Sequence, residues 1–253
     1  IIALVVFQTF TRQDHDRAIH ARGDVPRHHT GRGAVIDEHA GLGGLVDEDH
    51  HVGDRGVHAQ VVDRLGDPLD RLVERALDVG CGDGFATYYM NERVKYVEAG
   101  DASELMLKIH PLPAERLHLL DAENMHQFGD KSYDLVYAWE VLHHLTNAKK
   151  AVAEMVRVSK KHVVIFEPNR DHALQFLFGL AVKHERGILR STKEYLASLT
   201  EGLPVRIKAL SYSGRIPPNK TPESWLPLLL SMPFEGGRYD AISVGMVLER
   251  TDV

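Results

Sequence analysis

The sequence predicts an α/β fold with a doubly wound, mostly parallel sheet and helices on both faces. Three observations predict it. From residue 76 onward, short apolar runs alternate with helix-length stretches, and strands separated by helices pair in parallel through right-handed crossovers. The first run ends in a glycine-rich turn, Gly80-Cys81-Gly82-Asp83-Gly84. Acids stand at the ends of the first three runs, at Asp78, Asp101 and Asp121. They therefore share the carboxyl edge of the sheet, where this architecture binds ligands.

Taken in order, Ala76 to Gly80 reads as a first strand and Phe85 to Glu92 as the helix after it. Val94 to Ala99 is a second strand and Ala102 to Ile109 a second helix. Leu117 to Leu120 and Tyr133 to Ala138 read as the third and fourth strands. Ala148 to Val158 is an amphipathic helix with Val152, Met155 and Val156 on one face. His162 to Phe166 is a fifth strand, and Arg206 to Tyr212 and Ala241 to Leu248 are two more. No internal repeat is visible.

The 253 residues, 43% hydrophobic and 26% charged, suit one large domain with an extension. A net charge of −6 argues against a nucleic-acid-coating protein, which needs clustered Lys and Arg. No apolar run reaches the roughly 18–20 residues that span a bilayer. The opening run, Ile1 to Phe7, is too short for a membrane helix and lacks the flanks of a signal peptide. A single cysteine, Cys81, excludes an internal disulfide framework and any zinc site built on two or more cysteines. A reducing, cytoplasmic setting is expected.

Composition changes near residue 75. Residues 1–75 contain no Lys, Ser, Asn, Tyr, Trp, Met or Cys, but hold nine Arg, ten Asp and eight of the 16 His. No sustained hydrophobic period runs from Gly23 to Gly66, and Val61, Val62, Leu65, Leu69, Leu72 and Val73 begin a helical pattern that Pro68 interrupts. Three readings compete: a His-rich metal-binding arm using His28, His29, His50, His51 and His58; a poorly ordered extension; and a stretch that is not native coding sequence. The expected domains are an atypical extension over 1–75 and the α/β domain over 76–253.

The glycine turn carries the strongest chemical signal. Gly80 permits the tight turn, and Gly82 and Gly84 let backbone approach a ligand at a helix N-terminus. A dinucleotide site shows G-x-G-x-x-G instead. This turn is G-x-G-x-G with Asp83 inside it and Asp78 beside it, poor company for a pyrophosphate and acceptable to a cation. Asp101, after the second strand, can accept hydrogen bonds from both hydroxyls of a ribose. Asp residues also cap helices, which is the plainer reading of Asp101 alone.

These segments resemble the class I S-adenosylmethionine-dependent methyltransferases, most closely the small-molecule group that includes the quinone C-methylating enzymes. The resemblance runs from about Arg75 to Glu167. Ala76-Leu77-Asp78-Val79-Gly80-Cys81-Gly82-Asp83-Gly84 is similar to that family's cofactor loop. Glu98 to Leu107, with Asp101, Ala102 and Met106, resembles the segment whose acid holds the ribose. Asp121-Ala122-Glu123-Asn124-Met125 resembles the segment that brackets adenine. Tyr133 to Leu145, with Trp139, resembles the fourth strand and the loop beneath the methyl donor. The resemblance implies a seven-stranded sheet closed by an antiparallel hairpin, S-adenosylmethionine as cofactor and a small-molecule acceptor. Family members carry a lid helix before the glycine loop, often with an aromatic; here Val61 to Arg75 has none.

A sulfonium is already an activated methyl donor, so transfer depends mainly on alignment and dryness. A base is needed only where the acceptor must lose a proton. His143, His144 and Glu140 are the expected candidates, with Glu167 a further one. Packing and loop capping are the alternative roles for the two histidines. Cys81 reads as a small turn residue rather than a nucleophile. No Asp follows strand four, so no metal is expected. The apolar stretches Ala173 to Val182 and Trp225 to Leu230 fall within two expected substrate-covering regions, 171–200 and 214–238. They could wall an apolar acceptor pocket, form a homodimer or touch a membrane surface, or simply pack in the core. The rival functions are an NAD-dependent oxidoreductase and a catalytically silent binding protein of the same fold.

Overall fold

The computed structural model describes residues 73–91, 93–214 and 236–252. The strands are β1 (Arg75–Val79), β2 (Tyr96–Asp101), β3 (Leu117–Leu119), β4 (Tyr133–Trp139), β5 (Ser159–Pro168), β6 (Val205–Ser213) and β7 (Ser243–Arg250). The α-helices are α1 (Phe85–Asn91), α2 (Glu104–Ile109), α3 (Ala148–Val158), α4 (Ala173–Ala181) and α5 (Lys193–Ser198). Two 3₁₀ segments, Leu142–His144 and Lys183–Arg190, matter for the site.

The sheet has seven strands in the order β3-β2-β1-β4-β5-β7-β6. Strands β1 to β5 pair in parallel, and β7 runs antiparallel between β5 and β6. The expected doubly wound sheet and its closing hairpin are therefore present. Alternation along each strand sends side chains to both faces. Leu77 and Val79 of β1 join Val136, Ile165 and Met246 on one face, under Val152 and Met155 of α3 and Leu196 of α5. Ala76 joins Leu135, Tyr137, Val164 and Phe166 on the other, under Ala86 and Met90 of α1. Burial on both faces is why the central strands read as continuous apolar runs.

Asn147 starts α3 by accepting the Lys150 amide at its side-chain oxygen, 3.0 Å, and Ser103 does the same for Met106 at the head of α2. The β1 and β2 strands lead one way along the sheet and β4 the other, so the order reverses between β1 and β4. That reversal opens a crevice at the carboxyl ends.

Several bounds differ from expectation. Strand β2 begins two residues later and takes in Gly100 and Asp101, which pair with His118 and Leu119. Strand β5 begins three residues earlier, at Ser159, paired with Tyr133. Strand β7 is displaced by two residues, to Ser243–Arg250. The His-rich reading of the first 72 residues, the missing lid aromatic before Leu72 and the apolar run Trp225 to Leu230 lie outside the described residues.

Candidate active site

A cleft of about 660 Å³ lies at the switch between β1 and β4. Ten of the sequence-predicted cofactor residues line it: Asp78, Gly80, Cys81, Gly82, Asp101, Ala102, Met106, Asp121, Ala122 and Trp139. Glu140 and His144 also line it, with Val141, Leu145 and Ile242. Gly84, Glu123 and His143 do not. Gly84 packs beneath His110 and Pro111. Glu123 turns away to accept the Asn147 amide at 2.7 Å.

The glycine turn is held to β2 at three points. The Gly80 and Cys81 amides both donate to the Gly100 carbonyl, at 2.7 and 3.0 Å. The Gly82 amide donates to Asp101 Oδ2 at 2.9 Å, while Asp101 Oδ1 accepts the Ser103 amide at 2.8 Å. Asp101 thus fixes the turn and braces Ser103, the cap residue of α2, with one carboxylate. Gly80 has φ +73°, and a side chain there would run into Val141. Gly82, at φ +54°, faces open space, so a ligand can lie against its backbone.

Asp78 is almost wholly buried. Its Oδ2 accepts the Thr87 hydroxyl at 2.6 Å. His110 Nδ1 accepts the Leu112 amide, so Nε2 carries the proton and donates to Thr87 Oγ1 at 3.1 Å. The chain His110–Thr87–Asp78 leaves Asp78 Oδ1 without a hydrogen bond, and the nearby Tyr137 hydroxyl does not reach hydrogen-bonding geometry with it. Burial pushes the Asp78 carboxyl up to about 7, against the pull of the Thr87 hydroxyl, and Asp101 adds to the rise. Burial, with Asp78 and Asp101 close by, also pushes the Cys81 thiol up, which agrees with a packing role.

The floor after β4 is built around Glu167, at the end of β5 and fully buried. Its Oε1 accepts the Val141 and Leu142 amides at 2.9 and 2.7 Å. Its Oε2 meets the His143 amide at 3.0 Å and His143 Nδ1 at 2.8 Å. Burial alone would lower the His143 ring; the Glu167 hydrogen bond, helped by Glu185 and Glu140, turns the net shift upward. His143 is therefore a buried strut behind the cleft wall. His144 is exposed to the cleft, and burial of part of its ring together with neighbouring His143 lowers its pKa. Glu140 has φ +55°, an unusual conformation for a residue other than glycine. Surrounding protein and the nearby Glu167 push its carboxyl up, against the pull of His143. Trp139 stacks at a tilt on Phe166, with ring centroids 4.7 Å apart.

Thr87, His110 and Glu185 escaped the sequence reading. Thr87 sits on a helix nine positions beyond Asp78, and Glu185 reaches His143 across 42 positions. Neither separation leaves a spacing signature.

The residues present fit a cationic ligand bearing a nucleoside. The orphaned Asp78 oxygen and the open backbone at Gly82 suit a positively charged group in the turn. Asp101 keeps lone pairs for hydroxyls, and Leu120 and Ala122 offer apolar walls beside Asp121 for a base.

Residues 77–166 match the family model of a methyltransferase domain. The ubiquinone biosynthesis O-methyltransferase of Photobacterium profundum is 29% identical over 120 residues, covering 42% of this chain and 48% of that protein. The biotin biosynthesis bifunctional protein BioHC of Cellvibrio japonicus is 34% identical over 110 residues, covering 42% of this chain and 21% of that protein. The match spans less than half the length of either relative. A SAM-dependent methyltransferase of Archaeoglobus fulgidus has the same fold, with a TM-score of 0.54 at 18% identity over 78% of this chain and 94% of that one. Among the described residues no helix is long and apolar enough to cross a membrane.

Proposed function

We propose, from a chain whose residues 77–166 match the family model of a methyltransferase domain, that it is a class I S-adenosylmethionine-dependent enzyme that transfers a methyl group from S-adenosylmethionine to a small, apolar-bodied acceptor by in-line displacement. The observation that carries the reading is the cleft, which gathers Asp78, Gly82, Asp101 and Asp121 beside the loop after β4.

Asp78 would hold the cationic end of the cofactor, where its unpartnered oxygen gains the counter-charge that burial denies it. Asp101 would take the ribose hydroxyls with the lone pairs left after bracing Gly82 and Ser103. Asp121, Leu120 and Ala122 would hold the adenine. When bound, S-adenosylmethionine supplies a methyl group already activated by its sulfonium. What remains for the chain is to align the acceptor, exclude water and receive a proton where one is lost. Trp139, Leu145 and Ile242 supply apolar wall for an acceptor body. His144 and Glu140 are the titratable groups lining the cleft beside that wall, and either could take the proton. In methyl transfer His143 is a positioning residue, through Glu167 and the turn. An NAD pyrophosphate is disfavoured because Asp78 and Asp83 both line the glycine turn.

The test is formation of S-adenosylhomocysteine on incubation with S-adenosylmethionine and a panel of phenols, enols and amines. Acceptor-dependent product formation supports the reading. Cofactor binding without turnover across the panel would favour the silent binding protein.

A further inference from the structure

Beside the cleft, the 3₁₀ turn Leu142–His144 meets the 3₁₀ segment Lys183–Arg190. His143, His144 and Glu185 converge there, with ligand-capable atoms all within 4.8 Å of one another. His143 Nδ1 is engaged by buried Glu167, which leaves Nε2 facing Glu185 Oε2 at 3.2 Å. The backbone of His184 lies against the His144 ring, and His144 lines the cleft. The two segments are locked together. A side chain at Gly187 would overlap the His143 carbonyl, so the backbones touch. Arg190 Nη2 donates to the carbonyls of Leu142, His143 and Leu145, at 3.3, 3.4 and 2.6 Å.

This is the arrangement of a metal-binding histidine: one ring nitrogen is fixed by a carboxylate and the other is aimed at a shared point. Two ligands about 2.1 Å from a tetrahedral ion lie about 3.4 Å apart, close to the His143–Glu185 separation. Two imidazoles and one carboxylate suit zinc and its first-row neighbours and leave a coordination position open. We propose that His143, His144 and Glu185 bind a divalent transition-metal ion, zinc in the first instance, at the edge of the cleft, with Glu167 orienting His143 from behind. Water, or an oxygen of a bound acceptor, would complete the coordination. The sequence led to the opposite expectation, because the third ligand comes from 42 positions away. The claim concerns ion uptake; with the ion bound, His144 is a ligand and Glu140 is left to take the proton in the methyl-transfer reading.

The test is titration of the full chain with Co²⁺, followed in the visible, and then displacement by Zn²⁺. The expected result is a saturable tetrahedral spectrum that Zn²⁺ abolishes, with Zn²⁺ affinity at least tenfold weaker in Glu185→Gln and in His144→Ala. Zinc should raise the melting temperature of the wild type and leave that of Glu185→Gln unchanged. Glu185→Gln keeps the side-chain volume and a partner for His143, so it decides the matter alone if His144→Ala does not fold. No uptake by the wild type would overturn the proposal. So would a Co²⁺ spectrum unchanged in Glu185→Gln, which would place the ion elsewhere, for instance among the histidines of residues 1–75.

Discussion

Asp78 shows how a residue's surroundings decide what it can do. Its ordinary value of 3.8 is raised to about 7, first by burial. A carboxyl raised on folding holds its proton more tightly in the native state. Its stabilising contribution is therefore complete below about pH 4 and is lost as pH rises through 7. The full rise corresponds to about 4 kcal/mol as an upper bound, at ~1.36 kcal/mol per pH unit. The unliganded chain should lose stability between pH 4 and 7, and Asp78→Asn should flatten that slope in denaturant titrations; equal slopes would mean that Asp78 is not held in this state. Asp101 belongs to the same scale. Asp101→Ala should weaken S-adenosylmethionine binding by roughly 1.5–3 kcal/mol, as loss of charged hydrogen bonds does, in calorimetric titration. Unchanged affinity would remove Asp101 from the site. Asp78 and Asp101 were legible because acids at strand ends follow a spacing. His143 was not: only Glu167, 24 positions away, shows that its ring is a strut.

At the scale of elements, α3 was read to the residue because its apolar positions keep the helical period, and the structure adds Asn147 as the cap at its start. Its Met155 is fully buried among β-sheet residues. Met155→Ala should destabilise the fold by about 2–5 kcal/mol in equilibrium unfolding, from lost burial and a residual cavity. A loss below 1 kcal/mol would mean that the helix does not pack on the sheet as described. Strand ends were less legible. Ser159-Lys160-Lys161 carries no apolar signal, yet it extends β5 along β4 through backbone pairing. Gly100 and Asp101 extend β2 in the same way. Val94 carries the apolar signal without pairing and packs instead with Met90 of α1. The turn at Leu142–His144 was invisible because its hold comes from Glu167 and Arg190, both distant in sequence.

For the whole molecule, the sheet order places the site. Reversal between β1 and β4 brings the glycine turn, the ends of β2 and β4 and the segment after β3 to one cleft. Alternating apolar runs were enough to predict that sheet, since a parallel sheet covered on both faces needs them. Charge placement around the cleft then distinguishes ligands, with Asp78, Asp83, Asp101 and Asp121 all lining it. On the proposed function, a cation-bearing nucleoside would gain from them and a dinucleotide pyrophosphate would be repelled. Calorimetric titration of the full chain with S-adenosylmethionine, with NAD as the control, tests this most directly. The account predicts saturable micromolar binding of S-adenosylmethionine and none of NAD; a folded chain that bound NAD in preference, or bound neither, would contradict it.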